Sequence, residues 1–95
     1  MGSVRETAAD LSVISALLSS YKNIVVPKDV IIIGEVGLTG EIRPVTSIEG
    51  RIKEGVRQGF TKFILPTAQA DIKTIPNISL VPVGNLYEFY NKIKS

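Results

Sequence analysis

Gly34-Glu35-Val36-Gly37-Leu38-Thr39-Gly40-Glu41 follows the apolar run Val30-Ile31-Ile32-Ile33 and leads into Ile42-Arg43-Pro44. A β-branched run reads as a buried strand, and glycine at every third position clears side chains from a backbone that bends or packs closely. Thr39-Gly40 reads as a tight turn into a short return strand over Glu41 to Arg43. The stretch therefore predicts one strand from Val30 to Val36, a corner, and an antiparallel return that Pro44 ends, because proline has no N–H to give to a ladder.

The rest of the chain falls into place on either side. No function is assigned to Met1-Gly2-Ser3. Thr7 and Asp10 approximate a capping box, and Leu11, Ile14, Leu17, Leu18 and Tyr21 follow at helical spacing, which predicts a helix from Ala8 to about Tyr21. Asn23 closes it, and Pro27 and Asp29 punctuate the connection. Beyond the hairpin, Ser47 is the expected N-cap of a helix with Ile48, Ile52 and Val56 on one side and Gly59 as its left-handed C-terminal stop. Gly50 and Gly55 weaken that helix in isolation, so packing or close approach must hold it. Lys62-Phe63-Ile64-Leu65 reads as a core strand stopped by Pro66, and Thr67 to Ile72 as a short helical turn. Ile78 to Val83 reads as an edge strand because it contains Pro82. Gly84-Asn85 opens a last helix striped by Leu86, Phe89, Tyr90 and Ile93. Alternating strands and helices favour an α/β (α+β) class, with a mixed, largely parallel sheet, one antiparallel hairpin and flanking helices in a single domain over 1–95.

With 95 residues the chain builds one small core. It contains neither cysteine nor histidine, so disulfides, zinc-thiolate sites and imidazole chemistry are excluded. No apolar run is long enough to span a bilayer and no basic segment precedes an apolar one, which fits a cytoplasmic protein without a membrane partner. A net charge of +2 permits a nucleic-acid surface without requiring one.

Gly34 to Val45 closely resembles a segment of the Lon-protease-like domain of bacterial RadA (Sms) DNA-repair proteins, and more distantly that of Lon proteases. Ala8-Ala9-Asp10-Leu11, Arg51-Ile52-Lys53-Glu54-Gly55 and Gly59-Phe60 extend the match from about Val4 to near the C-terminus. The resemblance implies a Lon-like domain whose upstream strands are missing, with an apolar face on the first helix that self-association would cover. It also implies a parent protein with an ATPase module and a zinc finger upstream. ATP, magnesium and zinc would belong to that parent, with no cofactor or metal in this chain. The parent's partners would be further copies of itself in a hexameric ring, and duplex or branched DNA.

Lon proteases cleave peptides with a serine at the start of the first helix and a lysine at the start of the helix after the hairpin. A serine needs a neighbouring base to become a nucleophile. The resemblance sets Ala8 at the serine position and Glu49 at the lysine position, and neither can do the work. Ser47 with Lys53, or Ser12 with Lys53, is the substitute dyad to weigh against a helix cap and a solvent-facing lysine. Glu6, Asp10, Glu35, Glu41 and Glu49 could be paired hydrolytic carboxylates, but caps and solvated faces explain them more simply. A glycine-rich phosphate loop is excluded, because Gly34, Gly37 and Gly40 lead into a strand and no Gly-Lys pair follows. Lys53 and Arg57, four apart, face away from the apolar stripe; with Arg51 to one side and Arg43 on the hairpin they form the candidate DNA-contacting set. The expectation is a noncatalytic domain for ring assembly and nonspecific duplex binding. The alternatives are a peptidase with an unusual dyad and a purely structural oligomerisation domain.

Overall fold

A computed structural model describes residues 9–22, 29–72 and 76–94. In chain order the elements are β1 (Ala9–Asp10), α1 (Leu11–Lys22), β2 (Val30–Ile32), β3 (Glu35–Val36), β4 (Ile42–Arg43), α2 (Ile48–Arg57), β5 (Lys62–Pro66), β6 (Ser79–Val83) and α3 (Leu86–Lys94), with a single 3-10 turn at Thr67–Gln69. The expected roles of Thr7, Asn23 and Pro27 fall outside the described residues.

Two three-stranded sheets are present, where the sequence predicts one mixed sheet. A parallel sheet has the order β2-β5-β6, and an antiparallel one has the order β1-β3-β4. The expected strand from Val30 to Val36 is therefore divided. β2 pairs with β5 from Val30 opposite Lys62 to Ile32 opposite Ile64, and β3 pairs with β4 through Glu35 opposite Arg43. The division falls at Gly34, whose φ of 150° is rarely adopted by residues with a side chain. A Cβ there would lie 3.0 Å from Ile42 Cγ2 and 3.4 Å from Leu11 Cδ2, so the corner is also tightly filled.

The first helix starts later than its sequence predicts. Ala9 and Asp10 are strand residues, opposite Val36 and Glu35. Asp10 caps α1 by itself, its carboxylate accepting the Ser12 N–H at 2.8 Å as well as the Ser12 hydroxyl. The Leu11 N–H then donates to the Gly34 carbonyl at 2.9 Å, which ties the head of α1 to the corner.

The parallel sheet separates two apolar layers, and the alternation of its strands assigns residues to each. Val30, Ile32, Ile64, Val81 and Val83 join Leu11, Val36, Ile42, Phe89 and Ile93 in one layer, with Ile14 and Leu18 packed against it. Ile31, Ile33, Phe63, Leu65 and Leu80 join Ile52 in the other, with Ile48 and Phe60 at its margin. β6 is an edge strand, as Pro82 predicts. α3 opens on a reciprocal cap: the Glu88 N–H donates to Asn85 Oδ1 at 2.9 Å, and Glu88 Oε1 accepts the Gly84 N–H at 2.6 Å.

α2 closes as expected. Gly59, at φ 100°, donates its N–H to Val56 O at 2.9 Å, and the Phe60 N–H reaches back to Gly55 O at 2.9 Å, the pair of bonds of a Schellman stop. Its start differs. Ser47 occupies the N-cap position at φ 57°, ψ 42° and makes no side-chain cap bond. That backbone lies outside the extended region an N-cap normally adopts, and the expected cap bond is absent. The two weakening glycines have different causes. A Cβ on Gly55 would stand 2.7 Å from Phe63 Cε2, whereas Gly50 is exposed and has only Ser47 Cβ, at 4.0 Å, near the same position.

These surroundings predict opposite outcomes for the same substitution. Gly55→Ala should destabilise the fold by about 1–3 kcal/mol through overpacking against Phe63. Gly50→Ala should stabilise it by about 0.5–1 kcal/mol by removing chain entropy from a helix. Urea unfolding of the two variants checks the pair, and equal effects would refute the assignment.

Candidate functional site

The candidate surface is built on α2 and the hairpin that precedes it. α2 buries Ile52 and Gly55 against the sheet, which leaves Arg51, Lys53 and Arg57 exposed. Lys53 and Arg57, four residues apart, share one strip of the helix, and Arg51 lies roughly 200° around the axis from Lys53. Their electrostatic settings differ. Arg57 Nη2 donates to Glu54 Oε1 at 2.6 Å, and Gln58 Nε2 donates to Glu54 Oε2 at 2.9 Å. Those two donors, Gln58 first, hold the Glu54 carboxyl below its ordinary range. Arg51 Nε donates to the Thr46 carbonyl at 3.0 Å. Lys53 takes part in no ion pair among the described residues.

Arg43 stands apart from the other three. It lies on β4 in the antiparallel sheet, and its Nε donates to Glu41 Oε2 at 3.0 Å. The sequence reading placed Glu41 on a water-facing hairpin, and the structure folds its carboxylate back over the turn instead. That carboxylate accepts the Thr39 hydroxyl and the Thr39 N–H, the latter at 3.2 Å. It fills the space above Gly37, where a Cβ would come within 2.0 Å of Oε2. Gly37 is thus a seat for a carboxylate as well as a turn residue.

A residue the sequence reading missed fixes the approach to α2. Gln69 Oε1 accepts the Val45 N–H at 3.0 Å, and Gln69 Nε2 donates to the Val45 carbonyl at 2.8 Å. One amide thus satisfies both backbone groups of Val45, as a neighbouring strand would, and holds the segment between Pro44 and the head of α2. No motif marks Gln69, because the partners are 24 residues apart and meet only in the folded chain.

The dyad candidates can also be placed. Ala8 lies outside the described residues. Glu49 is exposed in the first turn of α2, where a carboxylate suits the helix dipole. The Ser12 hydroxyl donates to Asp10, and Ser15 is 3 % exposed within the core. No hydrogen bond joins Ser12 or Ser47 to a lysine among the described residues. Glu35 and Asp10 are opposed across the β1-β3 ladder and both are exposed, a solvated pair of carboxylates. No group of three or more carboxylates suited to a metal ion occurs among the described residues. Nor is any described helix long and apolar enough to cross a membrane.

Residues 5–85 match the family model of the Lon protease (S16) C-terminal proteolytic domain. The chain belongs to that family. Its similarity to curated proteins narrows the branch. It is 44% identical over 84 residues to the DNA repair protein RadA of Synechocystis, covering 88% of this chain and 16% of that protein. Against the DNA repair protein RadA of Aquifex aeolicus the identity is 46% over 86 residues, or 90% of this chain and 19% of the relative. The Escherichia coli protein of the same name is 41% identical over 83 residues, with shares of 87% and 18%. The chain thus spans less than a fifth of the length of these relatives, and the Lon-like, RadA-type assignment applies to that portion.

The Lon-type hairpin carries a pH signature. The Thr39 hydroxyl, the backbone of Glu41 itself and Arg43 hold the Glu41 carboxyl at about 2, against an ordinary 4.5. Because the folded value lies below the unfolded one, Glu41 favours the folded state above pH 4.5, and this contribution disappears as pH falls toward 2. Thermal melts across that window should show a shallower acid loss for Glu41→Gln than for the unaltered chain. Parallel acid profiles would contradict the network.

Proposed function

We propose that this chain is a noncatalytic Lon-type domain of a RadA-type DNA-repair ATPase acting in the cytoplasm, and that it serves assembly of the parent and nonspecific contact with duplex DNA. The observation that carries the reading is the joint one at the dyad positions: similarity to DNA repair protein RadA from several bacteria, together with Ala8 and Glu49 where Lon proteases need serine and lysine. A methyl group has no lone pair with which to attack a carbonyl, and without a nucleophile to deprotonate, a carboxylate in place of the lysine amine has nothing to activate. Ser12, committed to Asp10, and Ser47, on a left-handed turn, supply no alternative pair.

On this reading the exposed cations of α2 act as phosphate contacts. Lys53 would contribute most readily, because Arg57 must first give up or share Glu54. Arg51, on the opposite side of the helix, would reach a different part of the backbone, and Arg43 contributes from the hairpin only at the expense of Glu41. Such contacts hold a duplex without reading its sequence. ATP, magnesium and zinc belong to the parent and no cofactor is assigned to this chain; the parent's partners are copies of itself in a ring and duplex or branched DNA.

Fluorescence anisotropy of a labelled duplex, titrated at low and moderate salt, tests the DNA contact. The unaltered chain should bind with a salt-sensitive affinity, and Lys53→Glu with Arg57→Glu should lower it about tenfold or more at low salt. The thermal melt of the double variant should change little, since both side chains are exposed. Binding that survives the charge reversal would remove α2 from the DNA surface, and absence of binding by the unaltered chain at low salt would favour a purely structural role.

A further inference from the structure

Lys62 opens the central strand of the parallel sheet on a face where a lysine is unexpected. The four residues of β5 that follow it are buried, and strand alternation turns Lys62 to the same side as Ile64. Its ladder partner Val30, and Val81 opposite Ile64, belong to the apolar layer on that side, which Phe89 and Ile93 of α3 complete. A charged residue at a core-facing position of a central strand works against packing unless it serves a site. At this position the layer opens into a cleft of about 230 Å³ lined by Val30, Lys62, Ile64, Val81, Lys92 and Ile93. Lys92 has a structural reason to be there, since a cation suits the last turn of a helix. Lys62 has no such reason, and it takes part in no ion pair among the described residues.

We propose that this cleft binds a small amphipathic carboxylate, an aliphatic chain with one ionised end. Four aliphatic side chains line it, and of these Ile64 and Ile93 are buried, whereas Lys62 and Lys92 are exposed at its mouth. No acidic side chain is among the lining residues, so two ammonium groups set the sign of the polar end. An apolar body with one well-placed charge is the ligand that such a lining fits. Inorganic phosphate would meet the lysines and leave the aliphatic wall in water. A neutral hydrocarbon would cover the wall and take water from the ammonium groups without replacing it. At the ~30 Å³ that one water molecule occupies in the liquid, the cleft holds roughly eight non-hydrogen atoms, the number in hexanoate. Val30, Ile64 and Val81 face away from the layer that contains Ile52 of α2, so the cleft and the α2 cations lie on opposite sides of the parallel sheet. The site therefore does not depend on DNA contact.

An amide NMR titration of the full chain tests the assignment. Hexanoate should shift the amides of Val30, Ile64, Val81 and Ile93 saturably at millimolar concentration, whereas hexanol, with the body alone, and inorganic phosphate, with the charge alone, should each bind about tenfold more weakly. Lys62→Met keeps the aliphatic stem and removes the charge; it should weaken hexanoate about fivefold or more while leaving hexanol binding and the melting temperature unaltered. Lys92→Gln is an independent second variant with the same expected direction for hexanoate. Shifts that do not saturate by about 50 mM hexanoate, or that map away from the cleft, would overturn the site. So would hexanol or phosphate binding as tightly as hexanoate, or undiminished hexanoate binding by Lys62→Met.

Discussion

The structure depends on one corner, at Ile33 and Gly34, where the chain leaves the parallel sheet for the antiparallel one. Ile33 still belongs to the first, its N–H donating to Ile64 O at 2.8 Å, and Gly34 already belongs to the second, its carbonyl accepting the Leu11 N–H at 2.9 Å. Ile42 and Leu11 pack so closely on the turn that a side chain there would press on Ile42 Cγ2 at 3.0 Å. Through that one residue the head of α1, the glycine-rich hairpin and β2 take fixed positions. The hairpin is then stiffened by Glu41 over Gly37, and the segment beyond it by Gln69 on Val45. α2 reaches the sheet with Gly55 against Phe63 and its cations outward. The head of α1, the hairpin and α2 thus share one scaffold.

The interactions described for the hairpin and α2 are packing, backbone hydrogen bonds and a carboxylate network, and none of those uses the side chain of Glu49. A carboxylate such as Glu49 suits the first turn of a helix better than a lysine would. On the function proposed above, the Lon-type shape serves to hold partners rather than to cleave bonds.

Much of the fold was legible in the sequence where local physics decides the outcome. Gly59 announced the end of α2, Pro82 an edge strand, Asn85 the start of α3, and Ile48, Ile52 and Lys53 the inner and outer faces of α2. What could not be read depends on contacts distant in sequence. The run from Val30 to Ile33 is β-branched throughout, so nothing local shows that β2 stops at Ile32. The two residues of β1 are strand only because Val36 and Glu35 lie beside them. Ser47 has the composition of a cap, and its left-handed backbone, two residues beyond the Val45 that Gln69 holds, is not announced by its side chain. At the site, exposure of Arg51, Lys53 and Arg57 followed from helical spacing, whereas the ion pairs that engage Arg43 and Arg57 did not.

The central claim is that a Lon-type fold persists here without a nucleophile, and its most direct test is labelling with a fluorophosphonate probe followed by intact-mass analysis and peptide mapping. The account predicts no adduct on any serine after prolonged exposure at neutral pH, in the presence or absence of duplex DNA. A stoichiometric adduct at Ser12 or Ser47, abolished by Lys53→Ala, would contradict it and restore a peptidase dyad.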